Sequence, residues 1–217
     1  TGEMVSQIMT AINNDKVKIS SVVIMGIGEP LLNYDNVLNF IRIINDPKGL
    51  EIGARHITIS TCGIIPGIKR LAEEKMQINL ALSLHAPNDL LRNSIMPINK
   101  AFPINKVIKE INDYITKTNR RVTIEYVMIN NINDNPKQAL LLAKLLRGMN
   151  VYVNLIPLNE IPNSKFGKSD EQRIMAFYDI LKKEKINVTI RREFGNQIDA
   201  ACGQLRASEV LKWKVFT

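Results

Sequence analysis

Ile19-Ser20-Ser21-Val22-Val23-Ile24-Met25-Gly26-Ile27-Gly28-Glu29-Pro30 decides how the rest of the chain is read. Its Val- and Ile-rich run, 19–25, is too short for a typical helix and predicts a buried strand. The strand empties directly into a glycine-rich turn that ends in a carboxylate. The same grammar recurs downstream. Strands predicted over 56–60, 78–84 and 151–156 end in Ser60-Thr61-Cys62-Gly63, Ser83-Leu84-His85-Ala86-Pro87 and Pro157-Leu158-Asn159. Further strands are expected over 121–129 and 187–192.

Helical spacing fills the gaps. Val5, Ile8, Met9 and Ile12 mark an opening amphipathic helix, stopped at Asn13-Asn14-Asp15. Val37, Leu38, Ile41 and Ile44 form the face of a second, with Asp35 as its expected cap. Ile64, Ile68 and Leu71 mark a third, and Val107, Ile108, Ile111 and Ile115 another over 105–117. A short helix or ordered loop is expected over 89–96, a polar loop over 130–134, and a helix over 136–149. Ser169-Asp170-Glu171-Gln172 has the form of a capping box, opening a helix that buries Ile174, Phe177, Tyr178 and Leu181. Strand alternating with helix predicts an α/β fold of parallel strands with crossover helices. From the residues alone, a partial (β/α) barrel and a doubly wound sheet both fit. Either binds its ligand beyond the carboxyl ends of the strands.

With 217 residues, 45% hydrophobic and 23% charged, the chain suits one globular domain with a full core. No apolar run reaches membrane-span length and no signal peptide opens it, so no membrane partner and a cytoplasmic location are expected. The chain starts at Thr1 rather than methionine, so a fragment or a processed form is expected. Lys and Arg outnumber Asp and Glu by 29 to 21, a formal charge of +8. That excess favours a polyanionic partner, nucleic acid first, although a generally basic surface explains it equally well. The two cysteines, Cys62 and Cys202, form neither a disulfide scaffold nor a CxxC pair.

The chemically useful residues fall at matching places: Gly28-Glu29, Ser60-Thr61, Ser83 with His85, and Asn159. They would converge on one rim suited to a ligand with an amine, a carboxylate and a ribose. Each has a plainer alternative. Glu29 can be a solvated loop residue, Ser60-Thr61 a helix cap, His85 a backbone partner and Asn159 a turn former. Gly26-Ile27-Gly28 lacks the third glycine of a dinucleotide fingerprint, because Leu31 occupies that place. No Ser83/His85 nucleophile pair is expected.

Met25-Gly26-Ile27-Gly28-Glu29-Pro30, Ile59-Ser60-Thr61-Cys62-Gly63-Ile64-Ile65-Pro66, Leu82-Ser83-Leu84-His85, Met96-Pro97-Ile98-Asn99, Val153-Asn154-Leu155-Ile156-Pro157 and Ile198-Asp199-Ala200-Ala201-Cys202-Gly203-Gln204-Leu205 together resemble the RlmN/Cfr family. These are radical S-adenosylmethionine (SAM) enzymes that methylate adenine in RNA. The resemblance runs from Thr1 to Leu205, leaving 206–217 as a tail. It implies a partial (β/α) barrel of the radical SAM type, with SAM contacts at Gly28, Glu29, Ser60, Ser83, Leu84, His85 and Asn159. It makes Cys202 the catalytic cysteine that receives a methyl group before the base does. Gly28-Glu29-Pro30 resembles the carbon-2 methylating branch; the carbon-8 branch typically has alanine after the glutamate.

The resemblance also implies a [4Fe–4S] cluster whose CxxxCxxC ligands are expected upstream of Thr1, together with the partner cysteine and general base. None of these is in the sequence, and Cys62 is expected to be packing. Implied partners are 23S ribosomal RNA, transfer RNA as a second substrate, and an electron donor such as flavodoxin; a monomer is expected. Lys182, Lys183, Lys185, Arg191 and Arg192 are the expected phosphate contacts. A catalytically silent RNA- or SAM-binding piece and an unrelated barrel hydrolase using His85 stand as alternatives.

Overall fold

The computed structural model describes residues 1–159 and 166–191. Cys202, Arg192 and the tail 206–217 lie outside the described residues. The described strands are β1 (Val22–Ile24), β2 (Ile57–Thr61), β3 (Asn79–Ser83), β4 (Val122–Met128), β5 (Val151–Pro157) and β6 (Val188–Ile190). They form one sheet in sequence order, every neighbouring pair parallel. The helices are α1 (Gly2–Asp15), α2 (Tyr34–Asn45), α3 (Ile65–Glu73), α4 (Asp89–Ile95), α5 (Ile104–Thr118), α6 (Pro136–Leu146) and α7 (Glu171–Lys183).

This strand order separates the two architectures that the sequence left open. A doubly wound sheet reverses its order at a switch point to place helices on both faces. Here the order never reverses, and right-handed crossovers then place the helices on one face. The result is a partial (β/α) barrel, open because β1 and β6 are not paired with each other among the described residues.

The side chains divide the sheet accordingly. Ile57, Ile59, Leu80, Leu82, Val122, Ile124, Val153 and Leu155 share the core with Leu38, Ile41, Ile68, Leu71, Val107, Ile111, Phe177 and Leu181 from the helices. Tyr126 meets Phe177 with ring centroids 5.2 Å apart. The alternate residues form polar rows across the other face: Ser60, Ala81, Thr123 and Tyr152 in one register, Ser83, Glu125, Asn154 and Thr189 in the next. Period-two alternation thus builds an apolar outside for helices and a polar lumen.

Several expectations change in detail. Strand β1 is shorter than 19–25, and α6 stops at Leu146 rather than 149. Asp35 does not cap α2; it lies in the first turn and pairs with Arg70 at 2.5 Å. The cap of α7 is Asp170, which accepts from Arg173 N at 2.8 Å, so the Ser169 capping box does not form. Ser169 is instead buried, and its hydroxyl has no partner among the described residues. Tyr178 is only partly buried.

One close approach fixes α3 against the turn that follows β1. A Cβ on Gly67 would stand 2.5 Å from Leu31 Cβ. Alanine at this helical position would gain roughly 1 kcal/mol in propensity. The clash is with the first side-chain carbon, which the backbone holds in place, rather than with a flexible tip, and overpacking of this kind costs about 1–3 kcal/mol. Gly67→Ala is therefore expected to lower the thermal midpoint despite its better helix propensity. An unchanged or raised midpoint in a thermal melt would show that the approach is not tight.

Candidate functional site

The site lies at the carboxyl ends of the strands. After β1 the backbone turns at Gly28, whose φ of 108° only glycine adopts easily. Glu29 then caps a short 3₁₀ segment, Pro30–Asn33, with its carboxylate accepting from Leu31 N at 3.1 Å. The same oxygen accepts from Thr61 Oγ1 at 2.8 Å, and the other accepts from Cys62 N at 2.8 Å. Glu29 is therefore a strap between the ends of β1 and β2 rather than a free loop residue. A carboxylate takes about four donors. With three filled, Oε2 keeps room for one more.

Ser60 and Thr61 point to opposite sides of β2, and each fulfils one of the roles weighed from the sequence. Thr61 Oγ1 accepts from Gly63 N at 3.1 Å and Ile64 N at 3.4 Å, serving the turn into α3. Ser60 faces the lumen. The side chains of Ser60, Ser83 and Asn159 make no hydrogen bonds among the described residues, so their polar groups are available to a ligand.

A buried guanidinium joins the next strand ends. Arg92, on α4, is wholly inaccessible. Its Nη2 donates to the carbonyls of Cys62 at 2.7 Å and Ser83 at 3.1 Å, and its Nε to that of Leu84 at 3.0 Å. Its Nη1 donates to Asn99 Oδ1 at 2.9 Å. Asn99 is held in turn by Asp89 at 2.8 Å and Asn93 at 2.9 Å. Leu84, expected as a contact, is buried and offers only its backbone.

His85 leaves the strand in a left-handed conformation, φ 58°. Its Nδ1 accepts from Val127 N at 3.1 Å, which fixes the neutral tautomer with hydrogen on Nε2. Burial, reinforced by Arg92, lowers its pKa to about 4. Residues two apart on a strand share a face, so strand geometry does not separate His85 from Ser83. It is the loss of strand conformation and the engaged Nδ1 that prevent a nucleophile–base pair. Asn133 completes this corner, donating to the carbonyls of His85 at 2.8 Å and Val127 at 2.6 Å. In the lumen below, Glu125 accepts from Asn154 at 2.9 Å, and burial raises its pKa.

The rim thus brings together Gly28, Glu29, Ser60, Ser83, Leu84, His85 and Asn159 at the ends of β1, β2, β3 and β5. Arg92, Asn99, Asn133 and Glu125 were not anticipated from sequence. The quoted Met96-Pro97-Ile98-Asn99 was the one signal near them. The expected phosphate contacts do not gather here. Lys182 and Lys183 end α7, and Lys185 lies in the turn before β6, at the opposite mouth. Among the described ones, only Arg191 stands at the carboxyl end, its amide bonded to Leu155 O at 2.8 Å.

These residues suit SAM: lumen-facing hydroxyls and an amide are unspent, and a carboxylate retains an acceptor site beside a side-chain-free turn. They do not suit an iron–sulfur cluster. No group of three His, Cys, Asp or Glu that could hold a metal occurs among the described residues. Burial and the neighbouring Glu29 push the Cys62 thiol up to about 12, so it stays protonated at neutral pH and behaves as packing. Among the described residues, no helix is long and apolar enough to cross a membrane.

A family model described as the radical SAM superfamily matches residues 3–143. A protein from Spiroplasma citri named probable dual-specificity RNA methyltransferase RlmN is 56% identical over 212 residues, covering 95% of this chain and 60% of its own length. One of the same name from Geobacillus kaustophilus is 53% identical over 211 residues, 96% of this chain and 58% of its own. The chain thus spans about three-fifths of the length of these relatives. The crystal structure of a radical SAM methyltransferase from Sphaerobacter thermophilus superposes with a TM-score of 0.90 at 45% identity, over 94% of this chain and 60% of that one.

The half-buried His85 gives a pH dependence. Its folded pKa of about 4 lies below the unfolded value near 6.5. The unfolded state therefore binds a proton that the folded state refuses, and stability is lost as pH falls from about 7 toward 4. Urea titrations should show the wild type losing on the order of 1–2 kcal/mol more than His85→Gln between pH 7 and 5. Glutamine keeps an acceptor for Val127 N–H. Equal losses in the two proteins would mean that His85 protonates freely when folded.

Proposed function

Because the chain belongs to the radical SAM superfamily, we propose that it forms the SAM-binding core of an RNA methyltransferase that adds a methyl group to carbon 2 of an adenine in 23S ribosomal RNA, with transfer RNA as a second substrate. The observation that carries this reading is the strapped rim, with unspent polar side chains on Ser60, Ser83 and Asn159 around the Glu29 carboxylate. The names of the relatives supply the class of substrate.

Adenine carbon 2 is electron-poor and bears no acidic hydrogen, so a simple polar methyl transfer fails there. When bound, SAM supplies both the methyl group and a means of radical activation. The chain's residues bind and orient it. Glu29 Oε2 accepts from the ligand's ammonium. Ser60, Ser83 and Asn159 bond its hydroxyls and carboxylate, and the His85 Nε2–H donates. Gly28 lets the backbone approach closely. Cys202, outside the described residues, takes the methyl-accepting role on the strength of the family motif. Pro30 fits the carbon-2 branch and has a physical use, since its fixed φ starts the 3₁₀ segment that Glu29 caps. The described residues cannot themselves hold a cluster.

Nucleoside mass spectrometry of 23S ribosomal RNA treated with the full-length gene product tests the reading. The expected product is 2-methyladenosine from the wild type and none from Cys202→Ala, with RNA binding unchanged within about twofold. 8-Methyladenosine would move the protein to the other branch, and full activity in Cys202→Ala would remove the cysteine from the mechanism.

A further inference from the structure

The mouth opposite the rim carries a charge pattern that the methylation chemistry does not use. A cavity of 810 Å³ opens there, at the amino ends of β2 to β5. Four cations line it: Arg55 before β2, Lys75 in the turn after α3, and Arg120 and Arg121 before β4. No Asp or Glu is among its described lining residues. Several surface charges elsewhere are paired, as in Arg42–Glu74, Arg70–Asp35, Lys109–Asp113 and Lys117–Glu73. None of the four mouth cations makes an ion pair among the described residues.

Their partners are neutral and fix direction without cancelling charge. Arg55 donates to the Gln77 side chain, and Arg120 to Ile78 O at 3.4 Å. The Arg121 guanidinium lies 5.0 Å from the centroid of the Tyr152 ring. Like charges gathered without a counter-charge repel one another and disfavour the compact state. Cations near helix C-termini have a plainer use, offsetting the macrodipole in the last turn. Arg70 and Lys117 already hold those places on α3 and α5, so Arg55, Arg120 and Arg121 are surplus to it.

We propose that this mouth is a second RNA-binding surface, taking the sugar–phosphate backbone of the substrate RNA away from the nucleotide at the rim. The proposal rests on the RNA reading above and extends it to a new place. An extended phosphodiester fits better than a compact anion. The cations spread over three separate loops, the cavity far exceeds one phosphate, and no helix N-terminus among the described residues points into it to hold a small dianion. Asn150 on the same wall offers an amide for sugar hydroxyls, while Asn79 donates its own to Arg55 O at 2.6 Å. Asn150 also borders a neighbouring cavity of 620 Å³, where Lys183 and Lys185 carry the basic surface toward β6 beside the Arg147–Glu184 ion pair at 3.0 Å. Of the lysines expected to contact phosphate, Lys183 and Lys185 line this second cavity, at this mouth rather than at the rim.

The test is binding of a transcript of the peptidyl-transferase region of 23S ribosomal RNA to the full-length gene product, by filter retention across a salt series. The double variant Arg120→Gln/Arg121→Gln should bind about tenfold more weakly near physiological salt. Its slope of log affinity against log salt should flatten by about 0.7–0.9 for each phosphate that is no longer neutralised. The KM for RNA should rise in step while kcat is unchanged, and Lys144→Gln on the exposed side of α6 should change neither. Should that double variant fold poorly, Arg55→Gln/Lys75→Gln changes two exposed side chains and gives the same readout. Wild-type affinity and slope in a folded variant, with methylation intact, overturn the mouth and leave the methyltransferase reading standing. A wild type that neither binds nor methylates RNA overturns both.

Discussion

The residue on which the site depends most is Cys62, and the reason is its peptide groups rather than its sulfur. Its N–H is held by Glu29 at 2.8 Å and its carbonyl by Arg92 at 2.7 Å. Glu29 belongs to the turn after β1, and Arg92 also holds the carbonyls that end β3. Three strand ends are thus tied through one residue. Arg92 is buried without touching a carboxylate, and burial lowers its pKa. Its charge is balanced at one remove, by Asp89 across Asn99. A buried polar network is stable only when its members are satisfied. Removing the guanidinium would strand three carbonyls, at about 1–3 kcal/mol each.

This arrangement is possible because the sheet separates its two duties by face. The helix-facing side is apolar and supplies the core, leaving the lumen free to carry Ser60, Thr123, Glu125 and Asn154 at little cost to packing. The straps at the rim then fix where the lumen ends. His85 and Asn133 extend them from β3 to β4, and the Glu125–Asn154 bond reaches β5. A ligand arriving at the rim meets loops already held, so little ordering entropy is left for binding to offset.

Much of this was legible in the sequence because apolar periodicity reports directly on burial. Val37, Leu38, Ile41 and Ile44, and equally Ile68, Leu71, Val107 and Ile111, are buried where their spacing placed them. The rim residues were legible because each follows a strand end. Arg92 and Asn133 were not, since a polar residue in a short helix or a loop ordinarily belongs to the surface. Their burial comes from tertiary contacts among β2, β3 and β4 that no local spacing encodes. The Ser169 capping box failed for a related reason. Two candidate caps stood side by side, and burial took the first while the second capped the helix. The lysines near 182–185 were recognised as a group, but composition does not say which mouth of a barrel a turn faces.

The central claim is that the rim is set before its ligand arrives. Amide hydrogen exchange at Cys62 in the full-length gene product, with and without S-adenosylhomocysteine, tests it most directly. A strongly protected Cys62 amide in the free protein, with little further protection on binding, is the expected result. A fast-exchanging amide that becomes protected only when the ligand is added would show that the ligand, rather than Glu29 and Arg92, builds the site.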